Sequence, residues 1–413
     1  MSTTASAYPA AHRPMNFATS PAQQGTMYAH SAPLPTATGQ IDPVWTQRKS
    51  SSSNRHALVV AGIIVGAVAM LVMLIYIMFS TGVAATTAGF LLAFVPLTIV
   101  LSGVIWLDRW EPEPRIMLIL ALLWGAGVST ASSLLVNSAA WLSVATRAGD
   151  TVLADQVGAV VVAPIVEESV KGLGVVLLFL IRRHSFDGPV DGVVYAATVA
   201  AGFAFTENIL YFARSEGLIW AVFVVRGLMS PFAHLIFTAC TGIAIGLAAR
   251  SSNKAAVLIA FPLGLIPAMG LHALWNGSSV FADNFFILYL LVQVPIFIGV
   301  ILLMVWLRRK ESEVVSARLG EYAAAGWFAP QEVQMLASLK LRTQARQWSA
   351  RFGERAKLAM KSFQRSATSL AFLRQRQLVG RAGLRAASSE AELLEKLQRD
   401  RQMFTVSAHG AIR

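Results

Sequence analysis

The chain has 413 residues, of which 55% are hydrophobic and 14% are charged, and it carries a formal net charge of +12. Soluble domains contain about 25% charged residues, and this chain has several apolar runs of about 20 residues, enough to cross a bilayer. The composition therefore excludes a soluble globular protein and indicates a polytopic α-helical membrane protein. The single cysteine, Cys240, excludes an intrachain disulfide and a cysteine-rich metal site.

The N-terminal segment differs in composition from the rest of the chain. Residues 1–54 are rich in Ser, Thr, Ala, Pro and Gln and show no periodic apolar pattern. Such a composition is typical of disorder, so we predict a disordered tail over 1–54. The first apolar run begins only near Ala57, and we therefore expect no signal peptide.

Apolar runs predict about eight membrane-spanning helices, which form an all-α transmembrane domain over 55–308. The predicted spans are 57–79, 83–107, 116–143, 157–181, 189–213, 218–249, 254–276 and 284–307. The sixth is long enough to contain a break, which we expect near Ser230 and Pro231.

The charges between the spans predict their orientation. With a cytoplasmic N-terminus, the inner segments carry twelve basic residues, whereas the outer loops hold only Arg147 and Arg214. The twelve are Arg48, Lys49, Arg55, Arg109, Arg115, Arg182, Arg183, Arg250, Lys254, Arg308, Arg309 and Lys310. This asymmetry follows the positive-inside rule and predicts a multi-pass cell-membrane protein with both termini in the cytoplasm.

The C-terminal segment, 309–413, is strongly basic, with 19 Lys and Arg residues against nine Asp and Glu residues. Apolar residues recur there at helical spacing, which predicts short helices that lie on the membrane or pack on each other. We expect this cytoplasmic tail to meet anionic lipid, and we do not expect a nucleic acid partner.

The fourth span contains the sequence VVAPIVEESVK, in which Glu167, Glu168 and Lys171 interrupt an apolar stretch. Ionisable residues at membrane depth are costly and usually mark a functional site. Glu167 and Lys171 are four apart and share a helical face, whereas Glu168 is turned by about 100°. This spacing predicts that one carboxylate pairs with the ammonium while the other points elsewhere.

Polar residues recur at helical spacing in the next three spans. They are Glu207 and Asn208 in the fifth span, Arg226, Ser230 and His234 in the sixth, and His272 and Asn276 in the seventh. At about 1.5 Å per residue, the carboxylates and imidazoles fall in the central to outer part of the bilayer. Independent structural pairs have no reason to share a depth, so this convergence indicates one polar site.

Three kinds of chemistry fit these residue types. A buried Glu can act as the general base that activates water, with a His or Asn stabilising the oxyanion. His234, His272 and Glu168 are also a plausible zinc ligand set, although no HExxH motif is present. The alternative to an enzyme is a proton- or ion-coupled transporter, because intramembrane Glu, Lys and His also form proton relays.

The ordered set of motifs resembles the PrsW family of intramembrane proteases, which is related to the CAAX-protease and bacteriocin-processing group. The matching pieces are DRWEPEPR (108–115), EESVK (167–171), DGVVYAATVAAGFAFTENILY (191–211), SPFAH (230–234) with the preceding Arg226, and HALWN (272–276). The resemblance covers about 108–276 and implies cleavage of membrane-anchored proteins such as anti-sigma factors.

The resemblance also implies roles for individual residues. Glu167 and Glu168 would be the paired essential glutamates, and His234 and His272 the active-site histidines. Glu207 and Asn276 would complete the catalytic cluster, supported by Lys171, Asn208 and Arg226. In the related group the motif that corresponds to FAFTE ends in histidine, whereas here it ends in Glu207. The sequence leaves open whether the protease is of the glutamic or the metal-dependent type, with zinc as the candidate metal.

We expect the DRWEPEPR loop to form a structural turn at the cytoplasmic surface.

Overall fold

The structure is a computed structural model that describes residues 50–183, 185–215, 217–251, 253, 255–281, 284–380 and 386–410. The predicted disordered tail, 1–54, lies outside the described residues as far as residue 49. Residues 50–54 belong to the first helix. The described part of the chain is helical and contains no β-strand, which confirms the all-α prediction.

The described residues contain seven helices that are long and apolar enough to cross a membrane. They are His56–Thr81, Val83–Leu107, Arg115–Ala148, Pro189–Arg214, Ile219–Ala249, Ala256–Val280 and Phe285–Ala324. The fourth predicted span, 157–181, is also helical but is not among them. Its middle carries Glu167, Glu168 and Lys171, so it does not qualify on apolar composition. Seven of the eight predicted spans therefore correspond to these apolar helices, and the remaining one, 157–181, is the helix that carries the charged residues.

The helices of this region are interrupted by short π-helical segments. The α-helices are α1 (Ser50–Thr81), α2 (Val83–Leu107), α3 (Arg115–Leu123), α4 (Thr130–Ala148), α5 (Thr151–Val157), α6 (Ala163–Arg182), α7 (Pro189–Arg214), α8 (Ile219–Val222), α9 (Ala233–Ala249), α10 (Ala256–Phe281), α11 (Phe285–Leu288) and α12 (Val294–Ala324). The π-helical segments are Trp124–Ser129, Gly158–Val162, Phe223–Met229 and Tyr289–Gln293. The break that we predicted near Ser230 is confirmed, because helix α9 begins only at Ala233.

Helix α7 is buried over most of its length and packs closely against its neighbours. A Cβ atom built on Gly192 would lie 2.0 Å from the carbonyl oxygen of Gly242 in α9. A Cβ atom on Gly125 would lie 1.8 Å from the carbonyl oxygen of Val199 in α7. Only glycine allows backbones to approach this closely, as is common between membrane helices. These contacts hold α7, which carries Glu207, against the helices that carry the other polar residues.

The DRWEPEPR loop joins α2 and α3 as a compact turn. Both carboxylate oxygens of Asp108 accept from the backbone N–H of Glu113, at 3.0 and 3.1 Å. The Glu113 carboxylate in turn accepts from the Tyr195 hydroxyl of α7 and lies 3.4 Å from Arg182 of α6. Burial raises the pKa of Asp108 to about 7 and also raises the pKa of Glu113. These contacts agree with a structural role for the loop.

Residues 312–375 and 386–410 form a second compact unit with its own core. Besides the end of α12, it contains α13 (Pro330–Leu336), α14 (Leu339–Ala350), most of α15 (Glu354–Leu378) and α16 (Ala386–Gly410). Phe363 and Phe404 pack edge to face in its interior, with ring centroids 5.5 Å apart. Buried Arg342 donates from Nε to the carbonyl oxygen of Leu336 at 2.8 Å. The helices predicted for the basic tail are therefore present, and they pack on each other.

Candidate active site

Helix α6 supplies the charged centre of the site. Glu168 and Lys171 are fully buried, and Glu167 is 5% exposed. The Lys171 ammonium lies 2.9 Å from Oε1 of Glu168 and 3.5 Å from Oε2 of Glu167. Residues three and four apart on a helix are both neighbours, so the ammonium lies between the two carboxylates. We predicted that the Lys171 ammonium pairs with one carboxylate, and this is confirmed. We also predicted that the second carboxylate points elsewhere, and this is wrong, because both lie near the ammonium.

The Lys171 ammonium has two further neighbours from other helices. Its Nζ lies 3.2 Å from Nδ1 of His234 in α9. It also lies 3.7 Å from the centroid of the Phe203 ring in α7, a cation–π distance. A buried ammonium is tolerated when it is paired and hydrogen bonded, and Lys171 meets both conditions. It is the positive centre around which the site is built.

The Glu168 carboxylate is held by three helices. Oε1 accepts from Lys171 and lies 3.1 Å from Nδ1 of His272 in α10. Oε2 accepts from the Thr238 hydroxyl of α9 at 2.8 Å. A carboxylate only accepts hydrogen bonds, so this contact assigns the ring hydrogen of His272 to Nδ1 and leaves the lone pair on Nε2. Glu168 thus fixes the orientation of the imidazole, as carboxylates commonly do for functional histidines.

The Glu167 carboxylate is less completely engaged. Its Oε1 accepts from Nδ2 of Asn137 in α4 at 3.3 Å. Its Oε2 is buried and has no hydrogen-bond partner among the described residues, and it lies 3.9 Å from Nε2 of His272. Buried polar atoms are rarely left without a partner. Oε2 of Glu167 and Nε2 of His272 therefore present two acceptors, close to each other, that a bound water or substrate group can satisfy.

A second polar group surrounds Glu207 of α7. Its Oε2 accepts from Nη2 of Arg226 and lies 2.9 Å from Nε2 of His234. Arg226, in the π-helical segment Phe223–Met229, also donates from Nε to Oδ1 of Asn208 at 2.9 Å. His234 links this group to the first, because its two ring nitrogens contact Glu207 and Lys171. The helix break after Met229 allows the segment with Arg226 and the helix with His234 to approach Glu207 from different directions.

The two imidazoles lie next to each other. The ring centroids of His234 and His272 are 5.2 Å apart and the rings are nearly perpendicular. Phe237 stacks on His272 with centroids 5.0 Å apart. Sequence spacing placed both histidines in one polar site, and the structure brings them together with Glu167, Glu168 and Glu207.

Asn276 contacts the backbone rather than the predicted cluster, whereas Asn137, which was not predicted to belong to the cluster, contacts it. Asn276, predicted to complete the cluster, donates from Nδ2 to the backbone oxygen of Ala159 at 2.8 Å. Ala159 belongs to the π-helical segment Gly158–Val162. Asn137, which sequence reasoning missed, contacts Glu167 instead. A signal was available, because Ser129, Ser133 and Asn137 form a polar series at intervals of four within an apolar span.

Metal binding can be tested against these contacts. Glu167, His234 and His272 each offer one ligand atom, and the three atoms lie within 4.8 Å of one another. Zinc accepts this type of ligand set. Glu167 rather than the predicted Glu168 belongs to it, because Glu168 is engaged by Lys171, Thr238 and His272. However, both nitrogens of His234 contact protein groups, and one of them faces the Lys171 ammonium. The arrangement therefore does not fit a divalent ion unless Lys171 moves.

Comparison with known proteins is consistent with the site. Residues 113–300 match the family described as PrsW family intramembrane metalloprotease. The chain is 34% identical over 169 residues to Protease PrsW of Clostridioides difficile (strain 630), which covers 40% of this chain and 68% of that relative. It is 32% identical over 147 residues to Protease PrsW of Geobacillus kaustophilus (strain HTA426), which covers 36% and 60%. No solved structure matches the chain.

Proposed function

Because the chain belongs to the PrsW family of intramembrane proteases, we propose that it cleaves membrane-anchored protein substrates with a water molecule activated by Glu167. The observation that carries this proposal is the difference between the two adjacent glutamates. Glu168 is fully engaged by neighbouring side chains, whereas Oε2 of Glu167 has no hydrogen-bond partner among the described residues. A general base needs an oxygen that is free to accept a proton.

The hydrolytic step uses groups already in contact. A water between Oε2 of Glu167 and Nε2 of His272 can donate to both acceptors. Glu167 takes a proton from this water as the oxygen adds to the scissile carbonyl carbon, which gives a tetrahedral oxyanion. Glu167 then returns the proton to the leaving nitrogen as the C–N bond breaks, and the products are a new carboxyl group and a new amino terminus. Lys171, 3.5 Å from Glu167, supplies the nearest positive charge for the oxyanion.

The remaining polar residues position this centre. Glu168 orients His272 and compensates the charge of Lys171. Glu207, held by Arg226, orients His234 and so limits where the ammonium can lie. In the alternative with zinc, Glu167, His234 and His272 would hold the ion, which would supply a more acidic bound water. The contact between Lys171 and His234 favours the glutamic mechanism.

The substrate class follows from where the site lies. The carboxylates and imidazoles are buried among helices that are long enough to cross a membrane, so a substrate must present its scissile bond at membrane depth. We propose single-span proteins, with anti-sigma factors as the example that the family resemblance suggests. The proposed location is the cell membrane, with both termini cytoplasmic and the basic residues of 309–413 near anionic lipid. Family membership favours peptide hydrolysis over ion-coupled transport.

The experiment that tests this function compares cells that express the wild-type protein with cells that express Glu167→Gln at equal levels. New N-termini and lost full-length species are measured among single-span membrane proteins. We expect truncated membrane proteins only with the wild type, and they would identify the substrate directly. Identical profiles under envelope stress would overturn the proposal, and proton flux in liposomes would then be measured for the transport alternative.

A further inference from the structure

A polar series on one face of the third span is not used by the mechanism described above. Ser129 ends the π-helical segment Trp124–Ser129, and Ser133 and Asn137 follow in α4 at intervals of four residues. Residues at this spacing lie on the same helical face. Ser129 is fully buried and Ser133 is 2% exposed. Polar side chains at such positions are costly in a membrane protein unless they have partners.

The oxygens of this series lack such partners. Oγ of Ser129, Oγ of Ser133 and Oδ1 of Asn137 are buried and have no hydrogen-bond partner among the described residues. Other hydroxyls of the same helix behave differently, since Thr130 donates to the oxygen of Gly125 and Thr146 to that of Leu142. Such bonds to a preceding turn are the usual solution for Ser and Thr within helices. The unpartnered oxygens are therefore concentrated on one face of this span.

Contacts with α6 flank this series at both ends, and the second of them reaches Glu167. Trp124, one turn before Ser129, donates from its indole to the backbone oxygen of Val170 at 3.0 Å. At the other end, Asn137 donates to Oε1 of Glu167, whose Oε2 has no hydrogen-bond partner among the described residues and lies 3.5 Å from the Lys171 ammonium. Ser129 and Asn137 are separated by about 12 Å along the helix axis at 1.5 Å per residue. Three buried oxygens without hydrogen-bond partners among the described residues thus follow one another along this face, and the last belongs to Asn137, which contacts the proposed base.

We propose that Ser129, Ser133 and Asn137 bind a short file of water molecules that supplies the water consumed at Glu167. Buried waters usually satisfy polar groups that have no protein partner. Here three side chains, spaced four residues apart, each have an oxygen without a hydrogen-bond partner among the described residues. Each hydrolysis removes one water from a site surrounded by apolar helices, so a nearby reserve of water serves the reaction. The proposal rests on the proposed function for the identity of the consumer, but the water file itself can be observed without any substrate.

The direct test is water-edited solid-state NMR of the full-length protein in lipid bilayers, with Ser and Asn isotopically labelled. Signals of Ser129 and Ser133 are assigned by their loss in S129A and S133A. We expect magnetisation from water to reach both serines about as fast as it reaches Ser251, which is exposed in a loop. The internal control is Ser278, a buried serine whose hydroxyl donates to Trp275 and accepts from Gln293. Transfer to Ser129 and Ser133 as slow as transfer to Ser278 would overturn the proposal.

A second test uses the substrate identified by N-terminal profiling. Ser133→Val removes the hydroxyl and fills the space beside it, and Ser138→Val makes the same change at an exposed position of the same helix. We expect Ser133→Val to lower kcat roughly tenfold, the effect of about one lost hydrogen bond, with KM unchanged and with slower water transfer to Asn137. Ser138→Val should match the wild type. Unchanged kcat with unchanged water transfer to Asn137 would contradict the inference. Fast water transfer combined with full activity of Glu167→Gln would instead refute the proposed function and leave the water file in place.

Discussion

Glu168 of α6 and His272 of α10 are joined by a contact of 3.1 Å between Oε1 and Nδ1, 104 residues apart in the chain. This contact makes the two adjacent glutamates unequal. The Glu168 carboxylate contacts Lys171, Thr238 and His272, so it positions these three side chains. Glu167, one residue earlier, keeps an oxygen directed toward the other nitrogen of the same imidazole.

The two glutamates should therefore respond differently to amide substitution. Glu167→Gln retains an oxygen that can accept from Asn137 and removes only the longer of the two ion pairs of Lys171, at 3.5 Å, so we expect a smaller loss of thermal stability than for Glu168→Gln. We also expect a loss of cleavage of about 10²–10⁴-fold, the usual contribution of a general base. Glu168→Gln removes the charge opposite Lys171, so we expect a lower Tm together with lower activity. Cleavage rates and unfolding temperatures in detergent check both variants. A stable, inactive Glu168→Gln beside an active Glu167→Gln would reverse the assignment.

Lys171 should be important chiefly for stability. Lys171→Met leaves buried carboxylates without their counter-charge, which typically costs about 3–5 kcal/mol. Combining it with Glu168→Gln removes one of the two carboxylates that have lost their counter-charge, so the double variant should recover part of the lost free energy of unfolding. A double-mutant cycle on chemical unfolding in detergent measures this coupling. Simple additivity of the two changes would show that the pair is not coupled.

Asn276 should contribute less to the reaction than the family resemblance implies. Asn276→Leu leaves the partly buried carbonyl oxygen of Ala159 without its donor, and a lost hydrogen bond of this kind costs about 0.5–1.5 kcal/mol. We expect a lower Tm and an activity at least roughly tenfold above that of Glu167→Gln. Parallel measurement of both variants on one substrate decides the matter. Equal loss of cleavage in a stably folded Asn276→Leu protein would place this amide in the reaction.

Removal of metal should have little effect. If Lys171 supplies the positive charge of the site, dialysis against a strong chelator should leave both the cleavage rate and the Tm unchanged. Elemental analysis of the purified protein should find much less than one zinc per chain. One zinc per chain, lost together with activity and restored by adding zinc, would identify Glu167, His234 and His272 as ligands and require Lys171 to move.

The DRWEPEPR loop predicts a pH dependence of stability. Burial raises the pKa of Asp108 from 3.8 to about 7, so the folded state holds this proton at pH values where the unfolded chain has released it. The stabilising contribution of the protonated carboxyl is complete at low pH and falls as pH rises from about 4 to about 7. Asp108→Asn cannot ionise, so its Tm relative to wild type should rise across this window and stay constant above it. A constant difference from pH 4 to pH 8 would contradict the prediction.

Much of the fold was predictable from hydrophobicity alone. Apolar runs located the membrane helices, and helical spacing placed His234 and His272 near the glutamates. The partner of Lys171 was not predictable, because Glu167 and Glu168 are both within reach of a lysine three or four residues later. Asn276 was assigned to the cluster because the family resemblance includes HALWN and because Asn276 lies four residues after His272, on the same helical face. Its actual acceptor, the backbone oxygen of Ala159, belongs to a π-helical segment that leaves no clear mark in the sequence.

The geometry of the site depends on the close approach of Gly192 and Gly242, which lies far from the reacting groups. Gly192 lies about 22 Å along α7 from Glu207 at 1.5 Å per residue, yet a single methyl group there would collide with the backbone of α9. Helices α7 and α9 would then be pushed apart at this crossing, and the contact between Glu207 and His234 would be lost. Such a variant would keep every reacting group and lose activity only because Glu207 and His234 are misaligned.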